Sequence, residues 1–260
     1  MVRFPLRLTA DLAMAWLAQK PRLTQGARLI QFVDAAEILH PDSSHPVSHE
    51  RIREIVSTGS PVVWIAGIEP LLHPGISHLV RAITKTGHFV FLETDGTHLR
   101  RRIHEFQPVS RLFPTVRLEA GAQRRTSRSR RAGAFELAAE GIRAARLSGF
   151  LICVHARVQV ETELGEVAEL IRYAHSYDVD GMVITTANGG SNSANTEAKA
   201  LRRKTAEARK LIGSRWWESF SRLVQPVMSG GEPRDARSAD EDGVRLEEEE
   251  HANEESIRIA

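Results

Sequence analysis

SPVVWIAGIEPLLHPGISHLVRAITKTGHFVFLETDGTHL, Ser60 to Leu99, decides the fold. It opens on an apolar, β-branched run, PVVWIA (Pro61 to Ala66), and passes through a loop, GIEPLLHP (Gly67 to Pro74). Apolar positions at helical spacing follow from Gly75 to Thr86, then a second apolar run, HFVFLET (His88 to Thr94). Runs without polar alternation fit strands buried on both faces, and a helix carrying the chain from one to the next makes the two strands parallel. Gly87 stands alone between helix and strand, where glycine ends a helix in the left-handed conformation.

The same unit recurs outward in both directions. Further strand-like runs are RLIQFV (Arg28 to Val33), TVRLEA (Thr115 to Ala120), FLICVHARV (Phe150 to Val158) and GMVITTA (Gly181 to Ala187). Helical spacing predicts helices over His49 to Thr58, a weaker one over Thr97 to Phe106, then Ala134 to Ser148 and Glu163 to Ser176. In the third of these, Phe135, Leu137, Ala138, Ile142, Ala145 and Leu147 form an apolar stripe from which Arg143 and Arg146 point away. Six consecutive βα units predict one parallel sheet with crossover helices, either a partial barrel or an open doubly wound sheet. Gly59 and Gly149 repeat the role of Gly87. Beyond the last strand, Asn188 to Asn195 reads as a polar loop and Thr196 to Ile212 as a Lys- and Arg-rich helix, with Trp216, Trp217 and Phe220 capping the open end of the sheet. The expected organisation is an N-terminal helical segment (1–27), the barrel (28–187), a C-terminal loop and helices (188–228) and a disordered acidic tail (229–260).

Composition bounds the function classes. With 260 residues, 42% hydrophobic and 26% charged, the chain is neither collagen-like nor wholly disordered. No apolar stretch approaches the ~20 residues of a membrane span, and the first residues lack a signal-peptide core, so a soluble, cytoplasmic protein is expected. The net charge of +2 hides an asymmetry: Ser229 to Ala260 carries 11 acidic and 4 basic residues, and the rest of the chain 22 acidic and 31 basic. The tail has too few apolar residues to offset its ordering entropy and reads as a solubilising extension or an electrostatic pseudo-ligand. Cys153 is the one cysteine, so no internal disulfide forms and no several-thiolate metal site can be built.

Ligands of parallel α/β sheets bind at the carboxyl ends of the strands, where the loop Gly67-Ile68-Glu69-Pro70-Leu71-Leu72-His73-Pro74 lies. This segment resembles the GGEPLLHP motif of the radical SAM superfamily, with Ile68 in place of the second glycine. The likeness runs from about Arg22 to Val224, is strongest over Pro61 to Thr97, and is closest to the adenosyl-hopene transferase type of hopanoid biosynthesis. It implies a partial (βα)6, TIM-like barrel. It also implies a [4Fe-4S] cluster on a CxxxCxxC loop after the first strand, with S-adenosylmethionine chelating the cluster. Here the first strand runs into Asp34-Ala35-Ala36-Glu37-Ile38-Leu39-His40, without cysteine. Asp34, Glu37 and His40 are hard or borderline ligands, ill matched to such a cluster, and Cys153 reads as a small buried hydrophobe. By position, the resemblance assigns Gly67, Glu69, Pro70, Glu119, Arg157 and Thr185 to S-adenosylmethionine, Ile68 narrowing the approach to the backbone. The alternative for Glu69 is a structural carboxylate that pairs with an arginine or caps the next helix; Asp95, with Gly96, reads as a turn residue capping the following helix.

Arg124, Arg125, Arg128, Arg130 and Arg131, with Arg100, Arg101 and Arg102, offer an anion site for a diphosphate, a nucleic-acid backbone or the acidic tail. Without interleaved aromatics or a recognition module, sequence-specific nucleic-acid binding has no support. His40, His45 and His49 cluster beside Asp42, but Pro46 keeps the last two from sharing a helix, so no metal site is expected. Three readings follow. The first is a noncatalytic pseudoenzyme of radical SAM fold, a ligand-binding or accessory protein for an active superfamily member or another protein. The second is a cluster-independent enzyme acting on S-adenosylmethionine or a phosphorylated substrate through Glu69, Glu119 and Arg157. The third is an anionic-polymer binder using the arginine loop.

Overall fold

The structure, a computed structural model, describes residues 6–19, 29–38, 47–120, 132–186 and 196–228. Its strands are β1 (Ile30–Asp34), β2 (Val62–Ala66), β3 (Phe89–Thr94), β4 (Leu112–Glu119), β5 (Cys153–Val158) and β6 (Gly181–Thr186). They lie in one sheet in chain order, every neighbouring pair parallel. That order separates the two architectures left open by the sequence. A doubly wound sheet reverses its direction of growth partway, whereas here each strand is added on the same side of the last. The result is a curled half-barrel, the partial TIM-like (βα)6 arrangement, with β1 and β6 as its edges.

The helices are α1 (Leu6–Gln19), α2 (Ala35–Ile38), α3 (His49–Ser57), α4 (Ile76–Lys85), α5 (Leu99–Arg102), α6 (Ala132–Leu147), α7 (Leu164–Ser176), α8 (Thr196–Lys210) and α9 (Arg215–Met228). Gly59, Gly87 and Gly149 all have positive φ before their strands. Among the described residues no helix is long and apolar enough to cross a membrane. The acidic tail, the Asn188 to Asn195 loop, the arginines at 124, 125, 128, 130 and 131, and His40, Asp42 and His45 lie outside the described residues.

Strand register sorts side chains onto two faces. Trp64 sits opposite Phe91 and Phe91 opposite Phe113, and their rings stack at 5.0 and 4.7 Å between centroids. This aromatic floor fills the lower inside of the half-barrel. Helix α9 closes the open flank, packing against both edge strands. Phe220 lies against Phe91, and Trp217 covers Gly181, where an added Cβ would fall 2.2 Å from the indole. The free edge of β6 is satisfied by side chains: Ile184 N donates to Ser221 Oγ and Thr186 N to Gln225 Oε1, while Arg209 Nε donates to the Ile184 carbonyl. An edge strand that would otherwise invite another chain is thereby covered. Burial beside Arg222 brings the Arg209 guanidinium down to about 10.

Four local expectations change. The helix expected over Thr97 to Phe106 is one α-turn, α5, followed by a 3-10 turn (Ile103–Glu105); its N-cap His98 makes no side-chain cap, and Arg102 is drawn aside to the Leu71 and His73 carbonyls and to Glu105. Asp95 does not cap that helix: its Oδ1 accepts from Thr97 N and Thr97 Oγ1, closing a turn. Strand β4 begins at Leu112, ahead of Pro114, which sits in register with Leu92 at the cost of one ladder donor. Arg146 turns inward, its guanidinium bonding Asp180 at 2.7 Å and Asp178 at 2.8 Å, whereas Leu137 and Leu147 of the expected apolar stripe are exposed. Ala138, Ile142 and Ala145 of that stripe are buried, together with Ala139 and Gly141.

Candidate functional site

The strands' carboxyl ends form the mouth of the half-barrel, and its two sides differ. On the β1–β3 side, Gly67 follows β2 with φ +110°, a region closed to side chains. A Cβ there would fall 2.3 Å from Asp34 Oδ1, an oxygen that accepts from Ala36 N at 2.8 Å. Gly67 therefore lets the β1 and β2 loops touch. Ile68 is exposed and Pro70 buried, opening the 3-10 turn Pro70–Leu72.

Glu69 ties this loop to the end of β3. Its Oε1 accepts from Leu71 N at 3.0 Å and from Thr94 Oγ1 at 2.7 Å, and its Oε2 from Asp95 N at 2.8 Å. Burial pushes its carboxyl above the ordinary value, the bonds from Asp95 N and Thr94 opposing and the Asp95 charge adding. So Glu69 caps the adjoining turn, and the arginine partner considered for it is replaced by Thr94 and Asp95. One lone pair on Oε2 is left for a ligand ammonium or hydroxyl.

On the β3–β5 side the mouth holds a polar hub that sequence reasoning missed. Glu93, 1% exposed, receives four donors: Trp64 Nε1 and His155 Nδ1 on Oε2, both at 2.9 Å, and Arg117 Nη1 at 3.1 Å and Arg157 Nη2 at 3.0 Å on Oε1. Burial alone would raise this carboxyl, but the opposing charges and hydrogen bonds of His155, Arg157 and Trp64 win and hold it at about 2. An ionised carboxylate facing Nδ1 fixes that nitrogen as the donor, so in the neutral ring Nε2 accepts from Thr185 Oγ1 at 2.8 Å. Glu93, His155 and Thr185 thus form one carboxylate–imidazole–hydroxyl chain across β3, β5 and β6.

Of the residues assigned to S-adenosylmethionine, Arg157 and Thr185 meet in this hub, while Gly67, Glu69 and Pro70 sit together on the other side. Glu119 ends β4 exposed, pairing with no described residue. The signal for the hub was charge in apolar strands, Glu93 within FVFLET and His155 within CVHARV, but only the register shows that they face each other.

A [4Fe-4S] cluster does not fit this donor set. Cys153 is fully buried in β5, its Sγ donating to the Val154 carbonyl at 3.7 Å, and burial first, then Asp180 and Glu93, push its thiol well above the usual range. Asp34 is engaged with Ala36 N. No group of three His, Cys, Asp or Glu suited to a metal ion occurs among the described residues.

Comparisons with known proteins bear on this geometry. Residues 47–174 match the model of the Radical SAM superfamily. The crystal structure of Streptococcus suis SuiB bound to precursor peptide SuiA is 14% identical over 74% of this chain and 47% of that one, with a TM-score of 0.51. SuiB bound to S-adenosylmethionine gives 12% identity, 74% and 46% coverage and a TM-score of 0.50, and archaeal TYW1 gives 16%, 57%, 50% and 0.41. At such identities the likeness to SuiB is one of fold, and the chain spans about half the length of these structures. No curated protein matches.

Proposed function

We propose, from the premise that residues 47–174 are a radical SAM superfamily domain, that this chain is a noncatalytic ligand-binding or accessory protein that keeps the barrel mouth and has given up the cluster. The observation that carries the reading is the donor set: one cysteine in 260 residues, buried within β5, where three thiolates on one loop are needed. Within the superfamily we place it nearest the adenosyl-hopene transferase type on the strength of Pro61 to Thr97, and in the cytoplasm. The ligand we favour is S-adenosylmethionine, its ammonium on Glu69 Oε2; the accessory partner would be an active superfamily member.

Calorimetric titration of S-adenosylmethionine into wild type and Glu69→Gln, beside iron and sulfide analysis of anaerobically purified protein, tests this. Saturable binding weakened in the variant, without stoichiometric iron, is expected. Stoichiometric iron and sulfide refute the loss of the cluster, and equal affinities remove Glu69 from the site. A second reading, a cluster-independent enzyme, is favoured by the Glu93–His155–Thr185 chain, in which the Thr185 proton points at an imidazole base. Turnover of S-adenosylmethionine or a phosphate ester that disappears in Thr185→Val would establish it.

A further inference from the structure

Two guanidinium groups converge on the mouth and share a single carboxylate oxygen. Arg117 Nη1 and Arg157 Nη2 both bond Glu93 Oε1, so the two nitrogens are at most roughly 6 Å apart. Each arginine side chain is about one-third exposed, at 30% and 29%, while Glu93 is 1% exposed. Glu93 is the one acid either arginine pairs with among the described residues. A guanidinium carries five N–H donors, and Glu93 takes one from each. With Glu93 ionised, one carboxylate faces two guanidiniums, which leaves an excess positive charge between them. Its most buried negative charge is already committed to Trp64 and His155 through the other oxygen. Glu119, two residues beyond Arg117 on the same strand face, is exposed and pairs with neither arginine among the described residues.

We infer that Arg117 and Arg157 form a receptor for one anionic group, a carboxylate or a phosphoryl group, that bridges the two guanidiniums above Glu93. Separated donors of this kind match the oxygens of such a group, each taking a charge-assisted bond. Glu93 is the positioning residue: buried and bonded four times over, it holds the two forks at bridging distance before a ligand arrives. This deepens the proposed reading of the mouth as a ligand site, but does not depend on S-adenosylmethionine being the ligand.

The test uses the full chain in low-salt HEPES with pyrophosphate, malonate and S-adenosylmethionine as calorimetric probes. Arg117→Gln and Arg157→Gln should each weaken pyrophosphate or malonate roughly tenfold or more, and Arg203→Gln, an exposed arginine of α8, should not. Phenylglyoxal labelling of wild type, read by mass spectrometry, needs no variant to fold. Either anion should slow modification of Arg117 and Arg157 several-fold and leave Arg203 alone. Malonate alone acting identifies a carboxylate ligand and pyrophosphate alone a phosphoryl one; both support the inference. Unprotected arginines, or unchanged affinities in both folded variants, overturn it. Arginine-dependent malonate or pyrophosphate binding without any S-adenosylmethionine binding upholds the receptor and removes the proposed ligand. S-adenosylmethionine binding indifferent to both arginine variants, with no protection, does the reverse.

Discussion

Glu93→Gln should be the most damaging isosteric change in the half-barrel, and its size can be worked two ways. The carboxyl falls from 4.5 to about 2 on folding, which at ~1.4 kcal/mol per unit stabilises the native state by about 3 kcal/mol. From the contacts, the amide offers an NH2 to donors that faced an oxygen, and leaves Arg117 and Arg157 without a counter-charge. Breaking a buried ion pair on one side costs ~3–5 kcal/mol, and the repulsion of two charges ~6 Å apart adds up to ~3 kcal/mol at an effective dielectric of ~20. Because the arginines are about one-third exposed, screening reduces that last figure to a fraction. Both routes give about 3–5 kcal/mol, or a melting temperature lower by roughly 10 °C or more. The pH dependence has a definite sign. A depressed carboxyl contributes stability that is complete above pH 4.5 and lost as pH falls toward about 2. Urea unfolding at pH 7 and at steps down to pH 2.5 should show wild type losing this increment and Glu93→Gln lacking it. A variant as stable as wild type at pH 7, or one with the same acid slope, would refute the assignment of Glu93 as the charged centre of the hub.

Further outcomes follow from other sites. Arg146→Ala strands Asp180, 3% exposed, without its guanidinium and should cost about 3 kcal/mol by urea unfolding, whereas exposed Arg203→Ala should cost under about 0.5. Gly67→Ala combines a φ of +110° with a clash on Asp34 and should lower stability by roughly 1–3 kcal/mol; replacing Asp34 by Gly in the same chain should recover part of the loss. Gly181→Val drives a side chain into Trp217 and should release α9, seen as faster hydrogen exchange of Ile184 and Thr186 amides; unchanged protection there would contradict the packing described.

The βα alternation was legible in the sequence because buried parallel strands write themselves as apolar runs and helices as 3.6-residue stripes. The choice of a half-barrel was not, since PVVWIA and HFVFLET read the same in a doubly wound sheet; strand order alone separates them. The resemblance singled out Gly67 and Glu69 as candidates through a contiguous motif. Arg157 and Thr185 were named by position, but the rest of the hub escaped because Glu93, Arg117 and His155 are scattered over three strands, and period-two alternation makes them neighbours only once β3, β4 and β5 are in register. Arg146 misled for a related reason: on a helix wheel a polar residue belongs outside, and nothing local announces that Asp180, 34 residues on, waits beneath it.

Helix α9 sets an order of events for synthesis. It is the last described element to leave the ribosome, yet it bridges β6 to β1, the first described strand to be made. At ~5–20 residues per second, β1 waits on the order of ten seconds or more for that contact. Through that interval the Trp64–Phe91–Phe113 floor lacks its lid and the β6 amides lack Ser221 and Gln225. The nascent chain is then a half-barrel with a bare strand edge, the form in which such a sheet recruits a neighbour, and a chaperone's grip would matter most until residue 228 emerges.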